Sequence, residues 1–157
     1  MAIVYTVGHS NVSLEELIDL LSAHHIELVI DVRSDPYSKY APQFNRREIE
    51  RDLFWHGFEY IYWGNVLGGK PRSPGFHTQD GAPDYEKMAA SRAFQAAIEE
   101  VEELALVRNT VLMCSEADPM ACHRERLLGW VLRSRGNDVR HILQDGSIAR
   151  EEQGALL

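Results

Sequence analysis

A chain of 157 residues with 45% hydrophobic and 25% charged residues has the composition of one ordinary globular domain, long enough to bury a core. It contains no apolar run that could cross a bilayer and no basic leader at its N-terminus, so we expect a cytoplasmic protein with no membrane partner. The net charge of −8 argues against a protein that coats nucleic acid through bulk electrostatics, and the two cysteines do not form a secreted disulfide framework.

The first third of the chain alternates between strand and helix patterns. Residues 3–7 predict a strand, and Ser13 opens a helix in which Glu16 completes a capping box. Residues 28–32 form an apolar run that is typical of a fully buried strand. A short helix is expected at about 46–55.

The rest of the chain continues this alternation. A third strand is expected at 58–63, and the segment 64–83, with five glycines and three prolines, predicts a lid or binding loop. The remaining expected elements are a helix capped by Ser91, a strand at 110–114, a helix that begins after Cys122 and stops at Gly136, and a strand at 139–143. We therefore predict an α/β fold: a single three-layer domain over 1–157, with a mainly parallel sheet of about five strands and helices on both faces.

Polar residues follow four of the predicted strands. In order along the chain these are His9 and Ser10, then Arg33 and Ser34, then Gly64 and Asn65, and finally Cys114, Ser115 and Glu116. In parallel sheets, ligands bind beyond the carboxyl ends of the strands. Four separate segments are therefore expected to meet at one edge of the sheet and to form a site there.

The stretch 112–124 is the most informative part of this edge, because it contains both cysteines. It joins an apolar strand to an amphipathic helix and includes Glu116, His123 and Arg124. The start of a helix presents free backbone N–H groups and the positive end of the helix dipole. Such a place can bind an anion, activate a thiol or hold a metal.

The middle of the chain is unusually aromatic and basic for this acidic protein. Between Arg33 and Arg72 there are seven basic and five acidic residues, whereas the remainder of the chain has nine basic and nineteen acidic residues. Eleven of the fourteen aromatic residues lie between Tyr37 and Tyr85. This pattern fits a ligand that carries both a flat ring and a phosphate group, although several of these rings can equally belong to the core.

Five motifs of the chain resemble the domain-of-unknown-function family 488. They are Thr6-Val-Gly-His-Ser10, Asp31-Val-Arg-Ser34, Leu67-Gly-Gly69, Met113-Cys-Ser-Glu116 and Cys122-His-Arg124. The resemblance extends from about residue 4 to about residue 144, and the Cys-x-Glu and Cys-His-Arg elements are its most specific part. It implies the fold class and the positions of a site, and it leaves the reaction open.

Four side chains are candidate catalytic groups: Cys122, Glu116, His9 and His123. Cys122 is the better candidate for a reactive thiol because it lies near the start of a helix. Glu116 could act as a general base, or it could cap the loop by accepting N–H bonds. For His9, a role in proton transfer and a hydrogen bond that orders the loop remain equal alternatives.

The candidate ligand-binding residues are Ser10, Arg33, Ser34, Tyr37, Trp63, Cys114 and Arg124. Arg33 and Arg124 can each hold an oxyanion with two hydrogen bonds. The alternatives are a salt bridge from Arg33 to Asp31 or Asp35, and one from Arg124 to Glu116. Cys114 ends a buried strand, so it could also be a plain core thiol.

The spacing of the potential ligands does not favour a metal site. The cysteines are eight positions apart, farther than in usual zinc sites, and adjacent Cys122 and His123 rarely both reach one ion. An anion-binding loop of the phosphatase or rhodanese type needs an arginine about five residues after the cysteine, and neither cysteine has one. We therefore predict no metal ligands and leave the cofactor open.

The leading hypothesis is an enzyme that acts on a nucleotide, a nucleic-acid component or another phosphate-bearing ligand. Its expected partner is a small anionic or nucleotide-like molecule, with single-stranded nucleic acid as a further candidate. One alternative is a thiol redox sensor or binding module that uses Cys114 and Cys122. Another is a metal or haem binder that uses His9, His123 and the cysteines. The substrate, the reaction type and the oligomeric state do not follow from the sequence.

Overall fold

The computed structural model describes residues 1–149 and contains one six-stranded sheet. Its strands are β1 (Ile3–Gly8), β2 (Leu28–Asp31), β3 (Glu59–Tyr62), β4 (Thr110–Cys114), β5 (Asp138–Ile142) and β6 (Ile148–Ala149). They lie in the order β3-β2-β4-β1-β5-β6, and every neighbouring pair is parallel except the antiparallel pair β5–β6. The predicted α/β class with a mainly parallel sheet is confirmed. The sixth strand was not predicted, because two residues are too short to show a hydrophobic period.

Within residues 1–149, six α-helices accompany the sheet. They are α1 (Leu14–Ala23), α2 (Arg46–Trp55), α3 (Gly64–Leu67), α4 (Tyr85–Ala90), α5 (Arg92–Val107) and α6 (Trp130–Ser134). A π-helical turn, Arg124–Gly129, leads directly into α6. The expected helix after Cys122 is therefore present, but its first turn is wider than that of an α-helix, a feature often found at functional sites.

The helix starts follow the capping signals in the sequence. The Ser13 hydroxyl accepts the N–H of Glu16 at 3.1 Å, and the Glu16 carboxylate accepts the N–H of Ser13 at 3.0 Å, which confirms the capping box. Ser91 likewise caps α5 by accepting the N–H of Phe94. Each such cap supplies about 1 kcal/mol of stability.

The hydrophobic core forms two clusters. One cluster joins β-strand side chains such as Ile30 and Leu112 to α3, α4, α5 and α6, and the other joins Val29 and Val111 to α1 and α2. Neighbouring residues of one strand thus contribute to different clusters, as expected for a sheet that is covered on both faces. The distribution is the one that a three-layer domain requires.

Two further expectations concern the limits of the domain. Residues 150–157, which the single-domain prediction included, lie outside the described part of the chain. Within residues 1–149, no helix combines the length and the apolar character that crossing a membrane requires.

Candidate functional site

Gly8 brings the end of β1 into direct contact with the loop that follows β4. A Cβ atom at this position would lie 1.6 Å from the carbonyl oxygen of Glu116. The N–H of His9 donates to the carbonyl of Cys114 at 2.9 Å, and the N–H of half-buried Ser10 donates to Ser115 at 2.8 Å. The glycine of the Gly-His-Ser motif is therefore required by the close approach of two backbones.

The Leu67-Gly-Gly motif fixes the start of the segment 64–83 to the rest of the edge. A Cβ on Gly68 would lie 2.2 Å from the hydroxyl of Ser34, and a Cβ on Gly69 would lie 2.7 Å from the His123 ring. The Ser34 hydroxyl also accepts the N–H of Lys70 at 2.9 Å. This segment contains α3 and a 3₁₀ turn at Pro74–Phe76, so it has more regular structure than its sequence predicts.

A buried ion pair lies at the end of β2. The Arg33 guanidinium donates to both carboxylate oxygens of Asp31, at 2.9 and 2.8 Å, and the Tyr60 hydroxyl donates to the same carboxylate at 2.6 Å. Burial alone would lower the pKa of Arg33, but the hydrogen bonds and charge of Asp31 raise it instead. Of the alternatives for Arg33, the bridge to Asp31 is present, and its role in binding a ligand stays a prediction.

His9 belongs to the same buried cluster. Its Nδ1 lies 2.7 Å from the carbonyl of Ser10, and its Nε2 lies 3.1 Å from Nη1 of Arg33. Because a carbonyl only accepts and a guanidinium only donates, His9 is the neutral tautomer with its proton on Nδ1. Burial lowers the pKa of His9 to about 4. At neutral pH the ring is therefore an acceptor that orients Arg33, and its role in proton transfer stays a prediction.

The pKa of His9 predicts a loss of stability in weak acid. Between its unfolded pKa of about 6.5 and its folded pKa of about 4, the unfolded state binds more protons, so stability falls as the pH falls. We expect His9 to account for about 2 kcal/mol of the loss between pH 7 and pH 5. Urea unfolding at both pH values checks this: His9→Gln should show a smaller loss than wild type. His56→Gln controls for the loss of an exposed imidazole, and an unchanged loss in His9→Gln would contradict the prediction.

The two cysteines lie side by side. Their sulfur atoms are 3.2 Å apart, with Cys114 buried and Cys122 half-buried. Cys122 Sγ also accepts the backbone N–H of Arg124 at 3.3 Å. The hydrogen bond between the two sulfurs holds the pKa of Cys122 well below its usual range and raises that of Cys114.

The side chain of Arg124, two residues after Cys122, is fully buried. Its Nη2 donates to the carbonyl of Ala117 at 2.8 Å, whereas Nε and Nη1 have no hydrogen-bond partner among the described residues. No salt bridge between Arg124 and Glu116 occurs in residues 1–149. Arg124 lines neither of the two cavities at this edge of the sheet, so its role in ligand binding stays a prediction.

A cavity of about 290 Å³ brings many of the predicted residues together. Its lining includes Arg33, Ser34, Cys114, Glu116, Cys122 and His123. His123 is buried, and its Nε2 lies 3.1 Å from the carbonyl of Val32. Glu116 is exposed at the rim. These residues share one pocket, whereas His9 and Ser10, which the sequence also places at this edge, line neither this cavity nor the larger one beside it.

A larger cavity, of about 480 Å³, adjoins the first one and shares Ser34, Asp35 and Lys70 with it. Among the described residues, its charged lining consists of three cations, Arg46, Lys70 and Arg72, and a single carboxylate, that of Asp35. Its aromatic lining consists of Tyr37, Tyr62, Phe76 and Phe94.

The predicted ligand-binding set missed most of this lining. The signal was present as the aromatic and basic middle of the chain, but composition does not separate lining rings from core rings. Tyr37 contributes to the larger cavity, whereas Trp63 packs against a core cluster. The Arg46 guanidinium lies 4.3 Å from the centre of the Tyr62 ring, a contact between segments that are distant in sequence.

Residues 1–149 contain no cluster of side chains that would support the metal-binding alternative. No three His, Cys, Asp or Glu residues are grouped there in a way that could hold a metal ion.

The fold and the site define an α/β protein with a polar, cysteine-containing pocket at the carboxyl edge of a parallel sheet. Residues 13–131 match the family described as domain of unknown function DUF488, so the chain belongs to this family and the predicted resemblance is confirmed. No curated protein and no solved structure matches the chain.

Proposed function

We propose that this protein is an enzyme that acts on a small phosphate-bearing ligand of the nucleotide type. The observation that carries this proposal is the charge of the larger cavity: three cations and one carboxylate in a protein whose net charge is −8. A cavity of opposite sign to the whole molecule attracts an anion against the overall field. Two of the cations are arginines, which suit the oxygens of a phosphate group.

The size and shape of the cavity support a ligand of one nucleotide unit. Its volume of about 480 Å³ lies within the range of about 300 to 1,000 Å³ that is typical of small-molecule sites. Tyr37 and Phe76 offer ring faces on which a base could stack. Arg72 is 88% exposed and forms only a long, 3.8 Å contact with Asp35, so it can turn toward a ligand at little cost.

The smaller cavity supplies the reactive groups of this proposal. A ligand whose phosphate is held by Arg46 and Arg72 would reach the smaller cavity past Ser34, which lines both. There it would meet Cys122 and His123, with Glu116 at the rim. The segment 64–83 contributes about half of the residues that line the larger cavity, and in this proposal it acts as the binding loop that the sequence predicts.

The proposal is tested by measuring the binding of AMP, adenosine, inorganic phosphate and a ten-residue oligothymidylate by thermal shift and calorimetry. We expect AMP to bind better than adenosine, and Arg46→Gln to weaken AMP binding about tenfold, because a charged hydrogen bond is lost. Arg51→Gln is the matched control, since Arg51 is 63% exposed and lies outside both cavities.

Three outcomes of this experiment would contradict the proposal. They are the absence of any response to the phosphate-bearing probes, equal binding of adenosine and AMP, and equal effects of Arg46→Gln and Arg51→Gln. Tighter binding of the oligothymidylate than of AMP would replace the mononucleotide with single-stranded nucleic acid.

The thiol redox alternative is favoured by a different observation, the distance of 3.2 Å between the two sulfur atoms. A disulfide needs about 2.05 Å, so only a small movement would separate the free pair from a bond. Two free thiols also fit the cytoplasmic location that the sequence predicts.

A further inference from the structure

Two hydrogen-bond donors converge on the sulfur of Cys122. The thiol of Cys114 lies 3.2 Å away and the backbone N–H of Arg124 lies 3.3 Å away. Donors that converge on one atom favour its negatively charged form. The arrangement is therefore suited to a thiolate at Cys122.

The Arg124 guanidinium supplies an independent reason to expect a negative charge here. It is 0% exposed, and its charge acts on Cys114. Its Nε and Nη1 have no hydrogen-bond partner in residues 1–149, and a guanidinium does not lose its proton in proteins. A buried charge without an opposite charge is costly, and a negative charge on the cysteine pair would offset part of that cost.

We propose that the two cysteines together hold one proton and one negative charge at neutral pH, with Cys122 as a nucleophilic thiolate and Cys114 as its hydrogen-bond donor. Arg124 is a positioning residue that acts through the pair by providing the counter-charge. This inference deepens the proposed function, on which the identity of the substrate rests. It names the attacking atom and the substrate class: a phosphate-bearing molecule with an electrophilic centre that reaches the smaller cavity.

Exposure and position assign the two sulfurs different roles. Cys114 is 2% exposed and ends β4, whereas Cys122 is half-buried, so an incoming electrophile meets Cys122 first. In the step that follows, Sγ of Cys122 forms a bond to the electrophilic atom, and the leaving group departs with the bonding electron pair. Cys114 keeps its proton up to the attack, because losing it would place two negative charges on adjacent sulfur atoms.

Other ionisable groups also face the smaller cavity and influence the thiolate. The cations Arg33 and Lys70, and His123 when protonated, favour it, whereas the carboxylates of Asp35 and Glu116 oppose it. Tyr85 also lines the cavity, but its raised pKa keeps it neutral at neutral pH. Arg33 is already neutralised by Asp31 at 2.8 Å, which leaves Arg124 as the buried cation with spare donors.

The test is the pH dependence of alkylation by iodoacetamide, which needs no knowledge of the substrate. The thiolate sulfur forms a bond to the methylene carbon and iodide leaves, and mass spectrometry identifies the modified cysteine. In the wild-type protein we expect modification of Cys122 alone, with a midpoint well below the value of about 8.5 for a free thiol. Arg124→Met and Cys114→Ala should each raise this midpoint by about one pH unit or more. At a pH below the midpoint, a rise of one unit lowers the thiolate fraction about tenfold. Arg124→Lys, which keeps the charge, should restore most of the shift.

Several results would overturn the inference. One is a wild-type midpoint near that of a free thiol, and another is equal modification of both cysteines in the folded protein. An unchanged alkylation midpoint in Arg124→Met would show that Arg124 is not the counter-charge of the thiolate. If Arg124→Met does not fold, the ultraviolet absorbance of the thiolate in the wild-type protein, with Cys122→Ser as the blank, measures the same midpoint.

Failure of this inference is distinguishable from failure of the proposed function. Alkylation reports on Cys122 without any ligand, whereas AMP binding reports on the larger cavity. A low alkylation midpoint without AMP binding would support the thiolate at Cys122 and contradict the nucleotide-type ligand. AMP binding together with an alkylation midpoint near that of a free thiol would support the ligand and contradict Cys122 as a nucleophilic thiolate.

Discussion

Gly8→Ala is expected to destabilise the protein by about 3 kcal/mol or more, at the upper end of the range for overpacked positions. The added Cβ would lie 1.6 Å from the carbonyl oxygen of Glu116, which is a backbone atom and has no rotamer to change. Either β1 or the loop after β4 must move. Because that loop leads to the cysteine pair, we also expect slower alkylation of Cys122. Urea unfolding followed by circular dichroism gives the free-energy change.

Gly75→Ala is the matched control for this substitution. Its added Cβ would meet nothing closer than the hydroxyl of Ser73 at 3.9 Å, in an exposed turn. We expect a change of less than about 1 kcal/mol, in the stabilising direction if the unfolded chain loses freedom. Equal unfolding midpoints for the two variants would show that the contact at Gly8 does not constrain the fold.

The second large effect is expected for Asp31→Asn. This change keeps the shape of the side chain but removes the charge that neutralises Arg33, which is only 4% exposed. Removing one partner of a buried ion pair typically costs about 3 to 5 kcal/mol, because the other charge stays buried without compensation. We expect a loss of this size in urea unfolding, together with altered titration of His9, whose Nε2 accepts from Arg33.

Two further variants make this prediction specific. The double variant Asp31→Asn/Arg33→Met removes both charges and should recover much of the lost stability, since replacing a whole buried pair is often nearly neutral. Asp52→Asn breaks an exposed pair with Arg51 and should cost less than about 1 kcal/mol. A loss for Asp31→Asn as small as that for Asp52→Asn would contradict the assignment of a buried ion pair.

The elements that the sequence predicted well have a signal within a few residues. The capping box of Ser13 and Glu16 needs only four positions, and the apolar run 28–32 has to be buried on both faces of a sheet. The missed elements lack such signals. Helix α4 has six residues, which are too few to show a helical hydrophobic period, and it begins almost immediately after the glycine-rich segment 64–83.

The candidate site was predictable only as far as topology determines it. Parallel strands place their carboxyl ends together, which is why Arg33, Cys114 and Glu116 were expected in one pocket and line one cavity. Distances across that edge do not follow from topology. The burial of Arg124 and the packing of Trp63 depend on how the loops fold back, and no local pattern encodes this.

The close packing of the Leu67-Gly-Gly motif determines how a molecule could gain access to the larger cavity. The wall formed by α3 and Gly68 packs directly against Ser34, whose hydroxyl also accepts the N–H of Lys70, so we expect this wall to stay in place when a molecule enters. Arg72 and Ser73, which also line this cavity, are exposed, and Arg72 forms only a long contact with exposed Asp35. We therefore expect a ligand of this cavity to enter past Arg72 and Ser73, with Lys70 marking the edge of the wall that stays in place.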